Sequence, residues 1–260
     1  MVAPKMTVIF AYGSNLALTR TGLKPLEQAW LPDHSLRFRR RRYDGRGALD
    51  AAPAVGCICG GWLFEATEEA VAFLDEKEGV LAGAYIRTTM TLLNADGDTL
   101  KAEVYTVCAP VDFVQPDATY ISHVRAGLAQ FGLDNTAFEE ALNNRPLHAL
   151  PLFVYGTLKK GGTNASIIPA DTITSRRSAW VKGALWHGVT YPVLIKGDVQ
   201  VEGELIVLSV SDAAAVLKEV DKLEGFQGFD EKDLLFRRTI VRTEHDGDWA
   251  WVYRPVFSIE

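Results

Sequence analysis

Val8-Ile9-Phe10-Ala11-Tyr12-Gly13-Ser14-Asn15-Leu16 is an apolar run of strand type that stops at a small polar turn. Gly13 lets the backbone turn sharply, or approach a ligand, with no Cβ in the way. Ser14 and Asn15 are helix N-cap residue types. The stretch reads as strand, tight loop and helix start, with backbone N–H groups facing outward. Such a turn is a ready site for an anion or an oxyanion. A single match of this length is equally an ordinary strand-to-helix turn.

The pattern occurs twice. Pro151-Leu152-Phe153-Val154-Tyr155-Gly156-Thr157-Leu158-Lys159 repeats the strand and the loop. Leu74-Asp75-Glu76-Lys77-Glu78-Gly79 returns as Val220-Asp221-Lys222-Leu223-Glu224-Gly225. Asp96-Gly97-Asp98, followed by Val104-Tyr105, returns as Asp246-Gly247-Asp248, followed by Val252-Tyr253. Three landmarks in one order, separated by roughly 145 residues, mark an internal duplication. The period is too long for a stacked solenoid, so two similar domains are expected. Their boundaries are placed at 1–148 and 149–260.

The bulk numbers agree with this division. A chain of 260 residues accommodates two domains of ordinary size. Hydrophobic residues at 48% and charged residues at 23% are those of a globular protein. A formal net charge of −6 argues against nucleic acid as the main partner, because phosphate binding needs a basic face. Three cysteines make no disulfide framework, and Cys57 and Cys59 lie on one face of a strand. Reduced thiols are expected rather than a metal site, since no Cys/His group has zinc spacing. No apolar run approaches the length of a membrane span, and the start of the chain has no signal-peptide core. A cytoplasmic location, with no membrane partner, is expected.

Between the landmarks, Leu16–Trp30 is expected to hold a short helix limited by Pro25. Ser35-Leu36-Arg37-Phe38-Arg39 alternates as a strand and leads into a basic run at Arg39–Arg42. That run reads either as a solvated edge strand or as the source of one arginine for a substrate carboxylate. Val55–Phe64 is a strand in which Gly60-Gly61 suggests a bulge or a close backbone approach. Thr67 is placed as the N-cap of a helix that ends at Gly79, and Ser211-Asp212 as the cap of its counterpart through Leu223. Asp-Gly turns predict hairpins over Tyr85–Cys108 and Phe236–Val256. Strand-rich halves with interspersed helices point to small barrel-like α+β domains.

Glu78 and Glu224 both fall in the last turn of a helix, where the dipole disfavours negative charge. A carboxylate kept there in both halves is a candidate acid/base group, in a setting that raises its pKa. The five histidines share no position between the halves, so no recurrent Ser/His/Asp triad is available. A loop of N–H donors facing one carboxylate suits a substrate that carries its own nucleophile.

Phe10–Leu16 together with Leu74–Val80 resembles the γ-glutamylcyclotransferase family. The second half is similar to the AIG2-like, γ-glutamylamine cyclotransferase branch. That likeness rests on Tyr155–Gly161, Asn164, Tyr191-Pro192-Val193-Leu194, Gly203-Glu204-Leu205 and Asp221–Gly225. The resemblance implies two duplicated, mixed β-barrel-like domains with short helices. It implies conversion of a γ-glutamyl amide or peptide to 5-oxoproline and a free amine, with no cofactor and no metal. Carried over, Tyr12, Gly13, Ser14, Asn15, Leu16 and Tyr105 would bind the γ-glutamyl group in the first half. Tyr155, Gly156, Thr157, Leu158, Asn164 and Tyr253 would do so in the second. Glu78 and Glu224 would be the catalytic carboxylates. Leu158 stands where the first loop has Asn15, which suggests different substrates. Lys222 stands where the first half has Glu76, which argues against Glu76 as the essential group. The competing readings are a non-catalytic γ-glutamyl or carboxylate-binding module, and a hydrolase using Ser14.

Overall fold

The computed structural model describes residues 6–17, 23–145, 147–187 and 192–256. The opening apolar run is strand β1, Thr7–Ala11, whose last three residues are buried. It lies between β3, Gly47–Ala66, antiparallel, and β5, Thr99–Val107, parallel. β2, Lys24–Arg41, continues the sheet beyond β3, and β4, Tyr85–Leu93, joins β2 at Trp30 and β5 along its length. The five strands close into a barrel in the order β1-β3-β2-β4-β5. Phe10, Leu16, Phe38, Leu49, Leu92 and Phe138 are among the buried side chains that fill its core.

The second half repeats this order. β6, Leu152–Val154, lies between β8, Pro192–Leu208, antiparallel, and β10, Trp249–Pro255, parallel. β7, Ile173–His187, flanks β8, and β9, Phe236–Arg242, flanks β10. The sheet runs β7-β8-β6-β10-β9, and an isolated bridge from Val181 to Thr243 links its two ends. Taken as a ring, the sequence of equivalent strands is the same as in the first half. The chain divides into two units, Met1–Asn94 with Thr99–Leu147, and Ala95–Asp98 with His148–Glu260.

Four helices lie among the described residues: α1, Glu68–Lys77; α2, Ala118–Gln130; α3, Thr136–Leu142; and α4, Ala213–Glu224. α1 begins as its sequence dictates, with Thr67 Oγ1 accepting the Ala70 N–H at 3.3 Å. α4 does not: the Asp212 carboxylate is taken by the hydroxyls of Ser209 and Ser211 and makes no cap bond. Both helices end alike. Gly79 and Gly225 take left-handed backbone, and the next N–H reaches back to Asp75 O at 2.9 Å or Asp221 O at 2.8 Å. Leu74 and Val220 anchor the two helices in their cores at full burial.

Among the described residues of Leu16–Trp30, where a short helix is expected, no α-helix is formed. Ser14–Ala17 makes one 3-10 turn, residues 18–22 lie outside the described residues, and β2 starts at Lys24. Pro25 suits the start of a strand, and the following residues pair with Gln28↔Trp62 to Pro32↔Ile58. Nor is the basic run a solvated edge. The 111–115 backbone covers it, with Val111 N bonded to Arg39 O at 2.7 Å and Val114 N to Phe38 O at 2.9 Å. No helix among the described residues is long and apolar enough to cross a membrane.

Candidate active sites

In the first unit the loop after β1 faces the end of α1. Tyr12 is buried, and its hydroxyl donates to Tyr105 O at 2.5 Å, so the loop is tied to β5. Asn15 Nδ2 donates to Glu78 Oε1 at 3.0 Å, and Lys77 Nζ donates to Asn15 Oδ1 at 2.5 Å. Tyr12, Gly13, Ser14, Asn15, Glu78 and Tyr105 line a narrow crevice of about 30 Å³. A wider basin of about 850 Å³ shares Ser14, Glu78, Tyr85 and Tyr120 with it and adds Arg40, Lys77 and His123.

The second unit builds the same arrangement with other neighbours. Tyr155 donates to Tyr253 O at 2.9 Å, the counterpart of the Tyr12 bond. Asn164 Nδ2 donates to Thr157 Oγ1 at 3.0 Å, bracing the longer loop from within. Tyr155, Gly156, Thr157, Leu158, Asn164, Glu224 and Tyr253 line one cavity of about 240 Å³. Leu223, Leu235, Phe236 and Pro192 complete its wall. Tyr191, beside Pro192 in the sequence, lies outside the described residues.

Burial penalises a charged carboxylate and raises its pKa. It raises that of Glu78, opposed by Lys77, the Asn15 bond and Arg40. At Glu224 burial acts without such opposition and pushes the pKa up to about 7. The sequence expects the helix dipole as a second cause; the shift that the structure accounts for comes from desolvation. Burial lowers the pKa of Lys77 and raises those of Tyr12, Tyr85 and Tyr253.

Of the residues singled out from the sequence, Leu16 alone lines neither loop–glutamate cavity. It is fully buried in the core against Gly127 of α2, and its N–H is bonded to Gly13 O at 2.9 Å. That bond also shows that not every loop N–H faces outward. Sequence reasoning did not single out Tyr85 and Tyr120, whose hydroxyls fix the Leu49 backbone beside the crevice. Nor did it assign a role to Asp75 and Asp221, although both stand in the repeated landmark. Tyr105 donates to Asp75 at 2.8 Å and Tyr253 donates to Asp221 at 2.5 Å. Arg87 forks onto Asp75 at 2.8 and 3.1 Å, and Arg238 stands 3.6 Å from Asp221. The two arginines escaped notice because only strand pairing, which sets Arg87 opposite Tyr105 and Arg238 opposite Tyr253, brings them there.

Comparison with known proteins bears on what such sites belong to. The family model described as "Gamma-glutamyl cyclotransferase, AIG2-like" matches residues 152–256, and that of the AIG2-like family matches residues 60–136. The γ-L-glutamyl-butirosin B γ-glutamyl cyclotransferase of Niallia circulans is 31% identical over 121 residues, covering 45% of this chain and 74% of that protein. The chain belongs to the AIG2-like γ-glutamyl cyclotransferase family. It is therefore an enzyme of the γ-glutamyl cyclotransferase kind, with a family match in each half. Among solved structures, a γ-glutamyl cyclotransferase is 21% identical with a TM-score of 0.48, covering 55% of this chain and 89% of that one. A human protein described as uncharacterized is 22% identical with a TM-score of 0.47, covering 54% of this chain and 88% of that one.

Proposed function

We propose that the protein converts a γ-glutamyl amide or peptide to 5-oxoproline and a free amine at two sites, with Glu78 and Glu224 as the proton-moving groups. The observation that carries this reading is the repeated pairing of a strand-end loop with one half-buried, pKa-raised carboxylate across a cavity. The substrate supplies the nucleophile. Its α-amine attacks its own γ-carbonyl carbon, closes a five-membered ring, and the tetrahedral adduct expels the amine. No water is consumed. Orientation supplies much of the rate, since well-placed intramolecular reactions reach effective molarities of about 10⁵ M or more.

The enzyme must fold the substrate, take a proton from the attacking amine and return one to the departing nitrogen. One carboxylate can do both in sequence. A raised pKa suits that task, because an ordinary glutamate near about 4.3 is a weak base towards an amine near about 8. Loop N–H groups would stabilise the oxyanion, each worth on the order of 3 kcal/mol. In the first unit Arg40 is the arginine of the basic run best placed for a substrate carboxylate. Arg39 is held by Asp50, and Arg42 by Asp44 and Asp117, whereas Arg40 lies over the Tyr85 ring and lines the basin beside Glu78.

The test is a panel of γ-glutamyl amides and peptides incubated with the full chain, with products identified by mass. Equal amounts of 5-oxoproline and free amine are expected. Release of glutamate instead would assign a hydrolase, and binding without any product would assign a binding module.

A further inference from the structure

The two sites differ in most of what surrounds the glutamate. Asn15 corresponds to Leu158, and Lys77 to Leu223. One arrangement of side chains is common to both. A tyrosine on the last strand of the sheet lines the cavity and donates its hydroxyl to an aspartate three residues before the glutamate. An arginine from the neighbouring strand faces the same carboxylate oxygen through its Nε, Arg87 at 2.8 Å from Asp75 and Arg238 at 3.6 Å from Asp221. Whatever persists while the walls change serves the part of the substrate that both sites share, the γ-glutamyl group.

The direction of the tyrosine bond decides what the cavity is offered. A carboxylate facing a guanidinium is an acceptor, so the phenolic proton goes to Asp75 or Asp221. The phenol oxygen then keeps its lone pairs for the cavity and presents an acceptor, not a donor. Burial and the neighbouring aspartate raise the pKa of both phenols, so each retains that proton. Of the polar groups on a γ-glutamyl moiety, the carboxylate and the amide carbonyl need donors. The α-amine and the amide N–H are the groups that need an acceptor, and the α-amine is the one that must also be aimed at the γ-carbonyl.

We propose that Tyr105 and Tyr253 accept a hydrogen bond from the α-amine of the substrate and aim it at the γ-carbonyl. Asp75 with Arg87, and Asp221 with Arg238, are positioning residues that keep each phenolic proton turned away from the cavity. The same tyrosines accept through their backbone carbonyls the hydroxyls of Tyr12 and Tyr155. The acceptor is thereby fixed to the loop that would hold the carbonyl oxygen. Asp75 and Glu78 share one helix end, as do Asp221 and Glu224, so nucleophile, base and oxyanion site are held by one connected set of bonds.

This inference rests on the cyclotransferase reading, and the experiment separates the two. Binding is measured by calorimetry on the full chain carrying Glu78→Gln and Glu224→Gln, so that no turnover intrudes. The ligands are γ-glutamyl anilide and glutaric acid monoanilide, which lacks only the α-amine. Adding Tyr105→Phe and Tyr253→Phe is expected to weaken γ-glutamyl anilide about tenfold, the scale of one charge-assisted hydrogen bond, and to leave the amine-free ligand unchanged. Asp75→Ala with Asp221→Ala, which removes the acceptor and frees the phenolic proton to face the amine, is expected to do the same. A purely structural role would weaken both ligands together. Parallel loss, or no loss for γ-glutamyl anilide, overturns the proposal. Release of 5-oxoproline by the wild type is followed separately; its absence with amine-dependent binding intact would overturn the cyclotransferase reading alone.

Discussion

At the scale of single residues, the contrast between Glu78 and Glu224 is the most informative. Both carboxylates are desolvated, but only Glu78 accepts from an asparagine and faces cations that pull its pKa back. In the Glu224→Gln background, Asn15→Leu is expected to move the acid limb of the pH–rate profile upwards, because it removes a bond that favours the charged form. In the Glu78→Gln background, the remaining turnover is expected to fall as the pH drops below about 7, where Glu224 takes up its proton and ceases to be a base. The same shift has a sign for stability. The folded chain holds the Glu224 proton more tightly than the unfolded chain does. Its contribution is therefore complete below the unfolded pKa of about 4.3 and is lost as the pH rises through about 7. Urea unfolding of Glu224→Gln should lack that part of the pH dependence. Arg40→Gln should raise KM for substrates handled by the first site, with a smaller effect on kcat, because it would remove binding rather than proton transfer.

At the scale of elements, what was legible in the sequence is what is local. Thr67 as a cap, Gly79 and Gly225 as helix ends, and the Asp-Gly hairpins depend on residues a few positions apart, and their backbone chemistry is the same wherever they occur. The long strand β2 was not legible over Lys24–Trp30, because its partners in β3, Glu65 to Gly60, are distant in the chain and no local alternation marks it. Arg87 and Arg238 were hidden for the same reason. Gly61 shows the opposite case, a local signal with a non-local cause. A Cβ there would lie 2.3 Å from Ala11 O and 2.6 Å from the Phe10 ring, and Gly203 meets Val154 O and Phe153 at 2.6 and 2.5 Å. Gly203→Ala is expected to cost about 1–3 kcal/mol in chemical denaturation, the scale of overpacking. Gly225→Ala should cost on the order of 1 kcal/mol, because its Cβ meets nothing and only the left-handed backbone is strained.

At the scale of the whole molecule, two sheets with the same ring of strands carry two loop–glutamate sites whose walls have diverged. The duplication was legible because the loop, the helix end and the hairpin recur in order. The size and polarity of each cavity were not, because they depend on Leu235, Phe236 and Pro192 in one unit, and on Tyr85, Tyr120 and Arg40 in the other. None of these residues lies within the repeated landmarks, and Tyr85 and Phe236, which start the equivalent strands β4 and β9, differ in polarity. A cyclotransferase with two working sites should respond to loss of one carboxylate differently for different substrates. The measurement that tests the central claim most directly is 5-oxoproline release by the wild type, Glu78→Gln, Glu224→Gln and the double variant over one panel of γ-glutamyl amides. Each single variant is expected to lose about 10²–10⁴-fold on the substrates of its own site and keep the others, and the double variant to lose all of them. A double variant that turns over any of these substrates at the wild-type rate would contradict the account.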